Sequence, residues 1–244
     1  MFVAQVSNDD GKQVVFSSMP AEADRQVQQL RSVLHDLGAT SRTPVTILSD
    51  GADGPRTLGE AASVGPTQHA LDWFHLAMHI QHVAQAAWPD ATLTEREEGA
   101  RLADTIEHIH WRLWHGQVRR ALDLIGETLV TLEATAKMTS PKAATAGKVV
   151  EVLRGLETYV SGQFELIIDY ATARGTDEPI STATTESTVQ WLLHRRMGAN
   201  QQMRCSPRGA HLMLKVRTSV VNGTFNKNLA AAELCACRPF HKAA

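Results

Sequence analysis

The chain has 244 residues, 43% of them apolar and 5% aromatic, so it can bury a core built mainly from Leu, Val, Ile and Ala, and a wholly disordered chain is excluded. No apolar run reaches the ~20 residues of a membrane-spanning helix, and no basic stretch followed by an apolar run marks a secretory leader. The three cysteines (Cys205, Cys235 and Cys237) make no disulfide framework, so the expectation is a reducing, cytoplasmic setting away from membranes. The net charge of −2 conceals an asymmetry: from Ser187 onward there are nine Lys/Arg and one acid, whereas the first 186 residues hold 15 basic and 25 acidic side chains. A basic tail on an acidic body points to a polyanionic partner; a solvated basic face is the plainer explanation.

Residues 2–6 read as a strand, 7–12 as a turn rich in Asn, Asp and Gly, and 13–16 as a second strand, together a hairpin. A helix follows from Pro20 to Leu37, with Val27, Leu30, Val33, Leu34 and Leu37 at helical spacing and Gly38 as its stop. Residues 45–48 form a short apolar strand ending in Ser49-Asp50-Gly51. A second short strand over 70–74 precedes a helix over 75–87. Hairpin, helix, strand, helix, strand is an α/β order, and strands apolar on both faces belong to a sheet covered by helices.

From 93 to 173 the pattern becomes helical throughout. Leu102, Ile106, Ile109 and Leu113 recur at steps of three and four, as do Val118, Leu122, Ile125, Leu129 and Leu132, and then Val149, Leu153, Leu156 and Val160. Gly116 and the Thr139-Ser140-Pro141 stretch punctuate these helices, and Trp111 and Trp114 read as core residues. A loop over 174–179 leads to a helix from near Thr184 that carries Glu186, Val189, Leu192 and Leu193. Ser206-Pro207 supplies an N-cap with proline at the first helical position. The helix it opens runs to about Val221, with Met213, Val216 and Val220 on one face and Arg208, His211, Lys215 and Asn222 on another.

Asp50 is the sharpest candidate for chemistry. It leaves the carboxyl end of a strand, where functional groups of α/β folds gather, and a carboxylate there suits a hard divalent cation; a turn aspartate before glycine is the alternative. Asp72 and His75 stand at the next strand-to-helix junction, where Asp72 also reads as a helix cap. His75, His79 and His82 share a helical face at a spacing that zinc sites use, without the glutamate of a zinc peptidase motif. Cys235-Ala236-Cys237 lacks a second cysteine pair. Glu186 draws weight only from its place after the helical block and before the basic segment.

These pieces in this order resemble a known family. The segment ILSDGADGPRTLGEAASVGPTQHALDWFHLAMHIQHV is similar to the region around the second catalytic aspartate of ISKra-type transposases, relatives of the Mutator-like group, in which a Cys- or Asp-x-x-His element follows. The segment TTESTVQWLLHRRMGANQQMRCSPRGAHLMLKVRTSVVNGTF is similar to the region of the third acid, and CRPF fits the family's end. The resemblance implies a DDE transposase with an RNase H-like core over 1–90, a large all-helical insertion over 91–178, and core helices with a DNA-facing basic segment over 179–244. It assigns Asp50 as the second acid, Asp72 and His75 as the Asp-x-x-His element, and Glu186 as the third acid. Asp50 and Glu186 would hold two Mg²⁺ ions with a first aspartate. Arg195, Arg196, Arg204, Arg208, Lys215 and Arg217 would hold the backbone of double-stranded transposon-end DNA, and a homo-oligomer is a further expectation. The first aspartate belongs on a strand ahead of the hairpin, and Asp9 and Asp10 lie in its turn instead. An N-terminally truncated transposase is therefore expected, with a non-catalytic DNA-binding or regulatory remnant as the alternative.

Overall fold

The computed structural model describes residues 2–18, 23–87, 93–139, 141–197 and 206–236. The start expected at Pro20, together with Arg204, Cys205 and Cys237, lies outside them, and so do the side chains of Leu193, Arg195, Arg196 and Cys235. The chain is mixed α/β and mostly helical, and its described strands form two separate two-stranded sheets. It divides into two compact units, one of residues 1–45, 57–67 and 183–244, the other of 46–56 and 68–182.

The first unit is built on the expected hairpin. Strand β1 (Phe2–Ser7) pairs antiparallel with β2 (Gln13–Ser18), Gln5 opposite Val15. Between them the Asn8 side chain accepts from the Lys12 N–H at 2.9 Å, an Asx-type closure. Helix α1 (Ala23–Asp36) packs Leu30 and Leu34 against Phe16, Ala4 and Val6 on one hairpin face. Alternation along a strand sends Val15 and Ser17 to the other face, where Ser17 shares a 2.6 Å hydroxyl contact with Thr218 of α9 (Pro207–Val221). Helix α8 (Ala183–Met197) precedes α9, and α10 (Phe225–Ala236) follows it.

The facing of α9 is not set by its apolar residues. Its buried side is Leu214 and Thr218, with Asn222 bonded to the hairpin just beyond, whereas Val216 and Val220 are 51% and 52% exposed. Polar groups decide the orientation. Thr218 and Asn222 satisfy groups of the hairpin, and leaving those unpaired inside would cost more than exposing two valines. The expected caps at Ser206 and Pro207 are present, and Ser206 accepts from the Gly209 N–H at 3.1 Å.

The second unit holds most of the other sheet, apart from Val45 and Thr67, and the helical block; most of α2 belongs to the first unit. Strand β3 (Val45–Ser49) leads through α2 (Asp53–Ala62) to β4 (Thr67–Leu71). Val45 N–H donates to Pro66 O and Asp72 N–H donates to Ser49 O, so the strands run in the same direction and end side by side. Strand β4 sits three residues before the expected 70–74, because Asp72 already caps the next helix, α3 (Trp73–Ala86). Helices α4 (Leu93–Trp114), α5 (Val118–Ala136) and α6 (Pro141–Gly162) follow, then a 3-10 turn and the short α7 (Tyr170–Gly175). The periodic residues meet as expected: Ile109, Leu113, Ile125, Val149, Leu153, Leu156 and Val160 form one core with Leu71, Leu76 and Val83. Trp114 packs with Trp73 and Tyr170, but Trp111 is exposed and stacks on His115.

Candidate active-site carboxylates

Two aspartates leave the adjacent ends of β3 and β4, and their surroundings differ in kind. Asp72 is fully buried. Its Oδ1 accepts from the Phe74 N–H at 3.0 Å and the Thr182 N–H at 3.1 Å. Its Oδ2 accepts from His75 Nδ1 at 2.6 Å and from the Thr182 hydroxyl at 2.6 Å. A carboxylate offers about four lone-pair directions, and here all are taken. The charge is stabilised by these four donors and by the helix N-terminus beneath it. Asp72 is thus a helix cap and a hub: Thr182 lies 110 residues downstream, and the Trp73 N–H reaches Ile180 O at 3.0 Å.

His75 takes its chemistry from that hub. An ionised carboxylate only accepts, so Nδ1 carries the proton and Nε2 carries the lone pair. The half-buried ring is held by a bond one turn away on the same helix. An imidazole fixed in one tautomer is suited to accept a proton or to ligate a cation through Nε2.

Asp50 is the opposite case. It is exposed; one oxygen accepts from the Ala52 N–H at 3.1 Å, and the other has no partner among the described residues. The turn beneath it is tied down by hydrogen bonds. Gly51 has φ +93°, a left-handed conformation that favours glycine, with the end of the Gln163 side chain close against it. The Tyr159 hydroxyl donates to Asp50 O at 3.0 Å, and Gln163 Nε2 donates to Gly51 O at 3.4 Å. Tyr159 also stacks on His79, with ring centroids 4.2 Å apart. Burial, then the Asp50 and Asp72 charges, push the Tyr159 hydroxyl up to about 12, so it remains a donor across neutral pH.

Tyr159, Gln163 and Thr182 carry this architecture, and none of them stood out in the sequence. One signal was there to be read: the chain has two tyrosines, both in the helical block. Each sends its hydroxyl to a strand end, Tyr159 to Asp50 O and Tyr170 to Leu71 O.

The remaining candidates divide. Glu186 lies half-buried in the first turn of α8, in the first unit, four residues past Thr182 along the chain. His75, His79 and His82 do lie along α3, but His79 faces Tyr159 and His82 is exposed. Their ring nitrogens do not gather as one ligand set among the described residues. Burial, then His82 and His75, hold His79 below the usual histidine range. Of the basic residues described, Arg208 is exposed and Lys215 half-buried. Arg217 is occupied within its own unit: it donates to Trp191 O at 2.8 Å and lies over the Trp191 ring at 5.4 Å.

No described helix is long and apolar enough to cross a membrane. No protein-family model matches the chain, and no curated protein or solved structure is similar enough to register as a match.

Proposed function

We propose that this chain is part of a DDE-type DNA transposase, an RNase H-like catalytic core interrupted by the helical block, and that Asp50 and Glu186 supply two of its three metal-binding acids. The observation that carries the reading is the contrast between the strand-end aspartates. Asp50 presents an exposed carboxylate with an uncommitted oxygen on a turn held by Tyr159 and Gln163, which suits a hard cation. Asp72, saturated by four donors, would have to surrender one to bind a metal. In this proposal Asp72 is a positioning residue that fixes the Nδ1–H tautomer of His75, and His75 Nε2 faces the chemistry. Glu186 enters by its sequence resemblance, and by following the Thr182 segment that is tied to Asp72.

The oxygen donors fit Mg²⁺, which in this family promotes attack by a water or a DNA 3′-hydroxyl on phosphorus and stabilises the departing 3′-oxygen. Asp50 would anchor the cation through its open oxygen, while Tyr159 and Gln163 keep the turn from drifting. Exposed Arg208, with Lys215, Arg195, Arg196 and Arg204, would hold double-stranded DNA through its phosphates.

A second reading is favoured by one observation: nine Lys/Arg against one acid follow Ser187. On that reading the basic segment works alone, and the chain binds DNA without cutting it. Titration calorimetry with Mn²⁺, paired with a Mg²⁺-dependent nicking assay on labelled DNA, tests both. The expected result is metal binding that weakens about tenfold or more in Asp50→Asn and in Glu186→Gln. Binding that is indifferent to Asp50→Asn would remove Asp50 from the site. DNA binding without nicking would select the second reading.

A further inference from the structure

Tryptophan is on average a well-buried residue, yet Trp191 of α8 is 46% exposed. It is not a loose side chain. The Arg217 guanidinium of α9 lies over its ring at 5.4 Å and donates to Trp191 O at 2.8 Å, so one residue holds both the indole and its backbone. The ring borders a groove of about 370 Å³ between α8 and α9, lined by Ser187, Thr188, Trp191 and Val221. Arg217 is not among the lining residues, so the cation covers one part of the indole and the groove meets another. The walls differ in chemistry. Trp191 and Val221 are apolar, whereas Ser187 and Thr188 bring hydroxyls. The Ser187 hydroxyl donates to Ala183 O at 3.0 Å, which leaves its lone pairs to accept. A flat aromatic face beside a hydrogen-bond acceptor matches a nucleobase, which offers a π-face to stack and an N–H edge to donate.

We infer that this groove holds one unpaired base of a DNA strand, stacked on Trp191 with its N–H edge towards Ser187. The inference rests on the DNA reading and places a base within it. Two observations choose the occupant. The charge suits a strand: nine Lys/Arg against one acid follow Ser187, and Arg217 sets a positive charge beside the ring. The place suits one too. Glu186, the third acid of the proposed enzyme, precedes Ser187 in the first turn of α8, so the base belongs to a nucleotide near the bond to be cut. A base inside a duplex has both faces covered by its neighbours, so the nucleotide bound here is out of the stack. Stacking of this kind fixes where the strand lies without reading its sequence.

Fluorescence anisotropy of the full chain tests it, with a labelled oligothymidylate of about ten nucleotides and an abasic oligomer of the same length. Both carry the same phosphates, and only one carries bases. The expected result is that the unaltered chain binds the oligothymidylate about tenfold or more tighter than the abasic strand. Trp191→Ala should remove that difference, and Trp191→Phe, which keeps a ring, should retain most of it. The salt slope should be the same in Trp191→Ala as in the unaltered chain, because stacking releases no counterion. If Trp191→Ala loses its far-ultraviolet dichroism, Trp191→Leu, which fills the space without a ring to stack, decides. Equal binding of the two oligomers overturns the inference and leaves the phosphate contacts standing. So does a preference for bases that both Trp191→Ala and Trp191→Leu leave intact, since another aromatic would carry it, for instance the exposed Trp111. Failure to bind either oligomer also overturns it, and duplex binding in the same buffer then shows whether the DNA reading falls with it.

Discussion

Asp50 and Asp72 have the same side chain at the same kind of position, and their neighbours give them opposite roles. Removing the Asp72 carboxylate leaves two backbone N–H groups, a threonine hydroxyl and an imidazole N–H without their acceptor. Asp72→Ala is expected to cost about 3 kcal/mol of stability, combining a lost cap with unsatisfied buried donors. Asp50→Ala removes one exposed turn bond and should change stability by about 0.5 kcal/mol or less. Urea denaturation of the two variants checks this. A severe loss in Asp50→Ala, or none in Asp72→Ala, would reverse the roles argued here. The sequence offered both a capping and a functional reading for Asp72, and nothing local could choose between them. The deciding donor, Thr182, lies 110 residues away.

Helix α3 shows what an element adds to its residues. Spacing placed His75, His79 and His82 along one helix, and it was the packing against α6 that separated them by giving His79 a tyrosine to stack on. That burial has a consequence for pH. Burial lowers the proton affinity of His79 and of His110, with Glu107 opposing it at His110. Between these depressed values and the ordinary 6.5, the unfolded chain binds more protons than the folded one. The stabilising contribution is therefore complete above that ordinary value and is lost as pH falls from it through the depressed values of the folded chain. Chemical unfolding in mildly alkaline and mildly acidic buffer should show the loss, and the double variant His79→Gln with His110→Gln should narrow it. An unchanged gap would assign the pH dependence to other groups. Element boundaries were legible wherever punctuation was strong, at Gly116 and at Ser206-Pro207. The start of β4 was misplaced because Ala70, Leu71, Trp73 and Phe74 read as one apolar run, while the break at Asp72 is a side-chain bond that hydropathy does not register.

Across the whole molecule, charge is the property that needs no coordinates. Nine basic residues and one acid follow Ser187, so duplex DNA should bind with an affinity that falls steeply as salt rises, by counterion release. Arg208→Ala and Lys215→Ala should flatten the salt slope by roughly one unit each. Arg217→Ala should mainly cost stability, since its guanidinium is engaged with Trp191. Fluorescence anisotropy across a salt series separates these outcomes. A binding curve insensitive to salt would remove the phosphate backbone as the partner.

The sequence by itself determined the hairpin, the periodic helices and their core residues, the position of Asp50 at a strand end, and the charge asymmetry. These follow from patterns within a few residues or from composition, and local sterics and burial dictate them directly. Tertiary structure alone decided which carboxylate is saturated and which is open. It brought Tyr159, Gln163 and Thr182 to the strand ends from more than a hundred residues away. It also turned α9 so that Thr218 and Asn222, rather than its valines, meet the hairpin. The reason is the same in each case: a buried polar group must find its partner wherever the chain supplies one, and hydrophobic periodicity carries no record of where that is.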